Sequence, residues 1–63
     1  MIEGTVKFFN NDKGYGFITS NESGEDIFVH HTGLVDEITE DDKVNYDEKM
    51  GQKGMNAVNV ELV

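Results

Sequence analysis

"KGYGFI", residues 13–18, carries large side chains on both sides of what reads as one short strand. Alternate residues of an extended chain face opposite ways, so Tyr15 and Phe17 share one side while Gly16 and Ile18 share the other. "NESGE", 21–25, follows as a turn in which Gly24 suits a positive φ, and "DIFVHH", 26–31, reads as the partner strand. Pairing the two through that turn sets Phe17 opposite Phe28, Tyr15 opposite His30 and Thr19 opposite Asp26. Ile18, Ile27 and Val29 then point together to the far side, as a core. Tyr15, Phe17, Phe28 and His30 form a continuous patch on the near side, extended by at least one of Phe8 and Phe9 from the preceding strand.

The rest of the chain fits around this hairpin as further short strands. "IEGTVKFF", 2–9, is a first strand with Gly4 as its expected bend or bulge, and "NNDKG", 10–14, is a loop by composition. After the hairpin, the Thr32 hydroxyl is placed to cap a short helical turn over 32–35. Residues 36–42, "DEITEDD", make a polar connection in which Ile38 is the anchor to the core. Residues 43–49 alternate as a fourth strand, 50–54 form a glycine-bounded loop, and 55–63 make a fifth strand with Val58, Val60 and Leu62 on one side. The expected core is Val6, Ile18, Ile27, Val29, Leu34, Ile38, Val44, Tyr46, Val58 and Val60, rich in the β-branched residues that strands prefer.

A chain of 63 residues makes one domain, taken here as 1–63. Five short strands with turns between them point to an all-β domain, and closure into a barrel removes exposed edges. An SH3-like barrel has the same strand count, and periodicity alone does not separate the two. Such a domain buries only about 60% of its unfolded surface and has no amphipathic helix to lay over the aromatic patch. Those rings therefore remain at the surface, where an aromatic cluster marks a binding site.

Charge bears on what binds there. Five lysines oppose thirteen acidic residues, for a formal charge of −8, whereas nucleic-acid binders usually show a basic footprint. The imbalance is uneven. In residues 1–20 Glu3 and Asp12 are offset by Lys7 and Lys13, while 36–48 hold seven acids against Lys43 alone. The aromatic half of the molecule is thus close to neutral. Rings on an open sheet suit nucleobases, each of which has a π-face, and such stacking contributes roughly 1–3 kcal/mol per base. Gly14 and Gly16 leave room beside the rings, and Lys7 and Lys13 flank them where a phosphate backbone would run.

With these residues in place the sequence resembles the cold-shock protein family. "GTVKFFN" at 4–10 is similar to its opening strand, "KGYGFI" at 13–18 to its first ribonucleoprotein motif, "IFVHH" at 27–31 to its second, and "GQKGMNAVNV" at 51–60 to its closing segment. An RRM shares the first motif, but there the companion motif comes earlier and two helices are required. The resemblance implies a five-stranded antiparallel Greek-key barrel, the OB-fold. It also implies binding of single-stranded RNA and DNA with little sequence preference, and RNA-chaperone or gene-regulatory activity. It further implies nucleic-acid contacts at Lys7, Phe8, Phe9, Lys13, Tyr15, Phe17, Phe28 and His30, with lysines meeting phosphates and rings meeting bases. Lys53 matches a basic position in the last loop, and Asp26 a polar position that accepts a hydrogen bond from a base edge.

The chain departs from the family pattern in several places. Phe8 stands where tryptophan is usual, His31 where many members have phenylalanine, and Met55 where proline is common. The connection after Leu34 is short and lacks an aromatic residue. A smaller platform predicts a shorter footprint or weaker binding than full-length members show, with affinity not rising well beyond about six nucleotides, low in the OB-fold range. Few lysines predict a weak salt dependence, at about −0.7 in slope per phosphate neutralised.

Other chemistries find little support. Adjacent strand residues face opposite ways, which argues against His30 and His31 sharing a metal ion. No Ser or Cys nucleophile arrangement or Walker-type phosphate loop is present, and the carboxylates lie in apparent loops without the burial that tunes a catalytic pKa. The expectation is a non-enzyme without cofactor or metal. The competing reading is a small acidic barrel whose aromatic patch docks a protein, although such hot spots favour Trp and Arg, both absent here. With no cysteine, no apolar run near the roughly 20 residues of a membrane helix and no signal-like start, the expected setting is the cytoplasm, as a monomer.

Overall fold

In the computed structural model, which describes residues 1–51 and 54–63, the strands are β1 (Ile2–Asn10), β2 (Tyr15–Ser20), β3 (Asp26–His30), β4 (Lys43–Gly51) and β5 (Gly54–Leu62). They close a barrel in the order β1-β2-β3-β5-β4. The β2·β3 hairpin has the expected register, with Tyr15 opposite His30, Phe17 opposite Phe28 and Thr19 opposite Asp26. Its turn passes through Gly24 at φ +75°. The expected antiparallel pairing is found at the β1·β2, β2·β3, β1·β4 and β4·β5 seams, but β3 and β5 run parallel and pair Phe28 with Asn56 and Val29 with Ala57. The parallel seam closes the cylinder, so that each strand among the described residues has a neighbour on both sides.

Val6, Ile18, Ile27, Val29, Ile38, Val44, Tyr46 and Val60 are buried as expected, and Leu34 packs at the margin of the core. Val58 does not join them: it is half-buried, and Ala57 takes the inward place. The cause is a bulge in β5. Asn45 pairs with Glu61 and Asp47 with Val58, so two β5 residues span what one β4 residue spans. Asn59 takes up the extra length at φ +53°, a left-handed conformation that asparagine tolerates. Inward-facing positions thereby shift from 58 to 57 below the bulge, while Leu62, on the same side as Val60, is exposed at the end of the strand.

A second bulge sits in β1. Val6 pairs with Ile18, yet Phe8 pairs with Phe17, which leaves Lys7 as the extra residue. Without it Phe8 would share the inward side with Val6. The bulge turns Phe8 outward and Phe9 inward, where Phe9 lies opposite Gly16 and packs against the core. Gly4 is thus not the bend. It is buried where a Cβ would fall 2.7 Å from Ile18 Cγ2 and 2.9 Å from the Tyr46 ring.

The segment after β3 also differs from expectation in one detail. A 3-10 turn over His31–Gly33 is capped by His30 rather than by Thr32: the His30 ring accepts from the Thr32 backbone N–H. Ile38 anchors the acidic connection in the core, and Thr39 closes it by donating through both N–H and hydroxyl to Asp42. Residues 50, 51 and 54 of the expected loop belong to strands, since β4 runs to Gly51 and β5 begins at Gly54. The buried Tyr46 hydroxyl has no hydrogen-bond partner among the described residues. Burial pushes its pKa above the usual 10.0, and the nearby Ser20 hydroxyl opposes that shift without completing a hydrogen bond.

Candidate nucleic-acid interface

The two local devices just described, the 21–25 turn and the bulge at Lys7, bring four rings from three strands onto one face. Phe8, Phe17 and Phe28 lie side by side across β1, β2 and β3. Their ring centroids are 5.5 Å apart for Phe8–Phe17 and 5.8 Å for Phe17–Phe28. Tyr15 stacks on Phe28 at 6.0 Å with 21° between planes, and meets Phe8 edge-on at 6.4 Å. Each ring therefore touches at least two others, in the offset or edge-to-face arrangements that aromatic quadrupoles favour. The rings hold one another in place, yet none is buried, and Phe8 is 37% exposed. A flat ligand meets a surface already ordered, which lowers the entropic cost of binding.

His30 stands at the rim, exposed, with its Nδ1 3.0 Å from the Thr32 hydroxyl. The expectation that His30 and His31 face opposite ways is overturned. His31 belongs to the 3-10 turn, not to β3, and the two rings approach to 4.3 Å between centroids. No group of three or more His, Cys, Asp or Glu side chains able to hold a metal ion occurs among the described residues.

Phe9 is the one expected ring that lies away from the cluster. It lines a shallow groove of about 490 Å³ together with Lys13, His31, Leu34, Asp36 and Ile38. Lys13 sits on the 11–14 loop, which the Asn10 side chain orders by accepting from the N–H groups of Asp12 and Lys13. Lys53 lies outside the described residues.

Lys7 and Asp26, expected to meet a phosphate and a base edge, meet each other instead. Lys7 Nζ lies 2.8 Å from Asp26 Oδ2, and the Thr19 hydroxyl donates to the other oxygen, Oδ1, at 2.9 Å. A ligand that uses either group must open this exposed pair, at the small cost typical of surface ion pairs. The hydrogen bond from Lys7, then that from Thr19, holds the Asp26 carboxyl below the ordinary 3.8. A depressed carboxyl stabilises the fold above its unfolded-state pKa, and that contribution is lost as pH falls through the folded value. In an NMR titration the Asp26 carboxyl is expected to titrate below 3.8 and to move up in Lys7→Met. An unshifted midpoint in the wild type would show that the pair does not persist in solution.

One part of this face was not legible from sequence. The row continues beyond Phe28 across the parallel seam to Asn56 on β5, and from there to Lys49 on β4. The β4–β5 hairpin alone predicts the Asn56–Lys49 pairing; the link to Phe28 depends on barrel closure.

Comparison with known proteins agrees with the fold and the motifs. Residues 2–63 match the family model of the 'Cold-shock' DNA-binding domain. The chain belongs to the cold-shock domain family. Cold shock protein 2 of Lactiplantibacillus plantarum is 48% identical over 65 residues, covering 97% of each chain. The cold shock protein of Arthrobacter globiformis is 43% identical, covering 100% of both. The solved structure of drosophila Unr CSD456 aligns with a TM-score of 0.82 at 23% identity, over 98% of this chain and 26% of that one, a likeness that bears on the fold alone.

Proposed function

We infer that this protein binds single-stranded RNA and DNA with little sequence preference, by stacking bases on Phe8, Tyr15, Phe17 and Phe28, with His30 at the rim. The observation that carries this reading is the set of four mutually touching, part-exposed rings on one face of the barrel. Membership of a family described as DNA-binding supports it. Lys7, released from Asp26, and Lys13 on its ordered loop supply phosphate contacts. Asp26, released in the same step, gains freedom to accept from a base edge. Phe9 and Lys53 remain candidates at the margin, the first through its groove and the second through the sequence motif. Trapping unpaired bases disfavours RNA secondary structure, so the protein acts as an RNA chaperone or regulator of gene expression, as a cytoplasmic monomer. Binding of this kind needs no catalytic group.

The test is an NMR titration of the labelled protein with oligothymidines of increasing length. Shifts are expected at Lys7, Phe8, Lys13, Tyr15, Phe17, Phe28 and His30. Affinity is expected to level off near about six nucleotides, with a shallow salt slope, because few phosphates are neutralised. Shifts confined to the acidic 36–42 connection, or none at millimolar ligand, would overturn the reading and direct attention to a protein partner for the same rings.

A further inference from the structure

The row of outward residues that begins at Phe8 does not end with the aromatic rings. Directly opposed residues of paired strands project to the same face of a sheet. The pairings Phe8–Phe17, Phe17–Phe28, Phe28–Asn56 and Asn56–Lys49 therefore define one rung around the barrel, from three rings through an amide to an ammonium. Asn56 is half-buried and Lys49 exposed, as outward positions should be. Gly51, the next outward position on β4, has no side chain, and the Asn56 amide occupies the space where its Cβ would stand. The Asn56 side chain thus leans over Gly51, on the same face of β4 as Lys49.

Lys49 is also available. The acid nearest to it on the same side of β4 is Asp47, which is engaged by the N-terminal ammonium at 3.9 Å and by the Asn59 amide at 3.3 Å. Lys49 makes no ion pair among the described residues, whereas Lys7 is held by Asp26. Phe28 and Lys49 are separated by two strand spacings, about 10 Å. The four-carbon lysine stem brings its charge within reach of a phosphate adjoining a base on Phe28.

We propose that Lys49 is a phosphate anchor of the single-strand site, and that the bound strand extends past the rings onto β5 and β4. This rests on the stacking function inferred above. It gives the highly acidic chain a second-side cation, so that the aromatic row is bracketed by Lys7 on β1 and Lys49 on β4.

The test compares oligothymidine affinity against salt for wild type, Lys49→Gln, Lys43→Gln and Phe28→Ala. Lys43→Gln makes the same change of charge on β4, six residues earlier and about 20 Å along the strand. The expected result is a log–log salt slope shallower by about 0.7 in Lys49→Gln alone, so that its deficit relative to wild type shrinks about 2.6-fold between 50 and 200 mM salt. Equal slopes for Lys49→Gln and wild type, or equal losses in Lys49→Gln and Lys43→Gln, overturn the anchor. If Phe28→Ala still weakens binding by at least about 5-fold in that case, the stacking function stands and only the anchor falls. No binding by the folded wild type overturns both.

Discussion

Phe28→Ala is expected to weaken oligothymidine binding by roughly 5- to 150-fold, the range given by about 1–3 kcal/mol per stacked base. The upper part of that range is the more apt for this position. Phe28 ends the ring row on β3, with Phe17 edge-on at 5.8 Å and Tyr15 stacked nearly parallel at 6.0 Å. Its removal deletes one stacking surface and frees the Tyr15 ring, which then has to be ordered by the ligand. Phe8 ends the row on β1 and meets Tyr15 only edge-on at 6.4 Å, so Phe8→Ala should cost less. Fluorescence or calorimetric titration at one salt concentration reads both. Since Phe28 is only half-buried and belongs to no part of the buried core, the variant should remain folded. A folded Phe28→Ala protein with wild-type affinity would remove the platform from the mechanism.

Gly16→Ala is the other change with a large expected effect, this time on stability. A Cβ at residue 16 would collide with the Phe8 carbonyl oxygen and lie 2.8 Å from Phe9 Cα and 2.7 Å from the Phe9 ring. Two of these neighbours are backbone of the adjacent strand, so relief requires the β1·β2 seam to spread just beyond the bulge at Lys7. Overpacking of this kind costs about 1–3 kcal/mol or more, and in a domain this small each kcal/mol lowers Tm by roughly 4–8 °C. A fall of about 10–20 °C in a thermal melt is therefore expected. Gly24→Ala makes a useful contrast, since nothing lies within 4 Å of its Cβ position and only the positive φ of +75° resists the substitution. A Gly16→Ala melt within a few degrees of wild type would mean that the seam is softer than its geometry implies.

Phe28 and Gly16 belong to the two opposite faces of the sheet that contains "KGYGFI". One side of that strand is core and close approach, at Gly16 and Ile18, and the other is platform, at Tyr15 and Phe17. That division was legible because a strand has a period of two and because the 21–25 turn fixes the β2·β3 register. Where the period is broken, the sequence misled. Phe8 and Phe9 were not separable, since only the extra residue at Lys7 sends one ring out and the other in. Val58 was read as core because nothing in "MNAVNV" announces that Asn59 adopts φ +53° and shifts the inward places to Ala57 and Val60. His31 was assigned to a strand although the chain turns there, and its ring joins that of His30. Asn56 and Lys49 stayed hidden for a different reason. Their place beside Phe28 depends on a parallel seam between strands that are not consecutive, which no local pattern encodes. The Lys7–Asp26 pair was out of reach for the same cause: the two residues stand on different strands, neither of them paired directly with the other.

The parallel β3·β5 seam has a consequence for biosynthesis. The first three strands can pair as they emerge from the ribosome, but β3 has no second neighbour until β5 arrives, and β1 none until β4 does. Contacts that join Ile2 to Tyr46 and Phe28 to Asn56 are costly in chain entropy and form late. A nascent chain that stops short of β5 displays its rings on an open, apolar sheet and has no cylinder to support them. The aromatic face gains its full support only when β5 joins β3 and β4, so closing the barrel and completing the platform are one event.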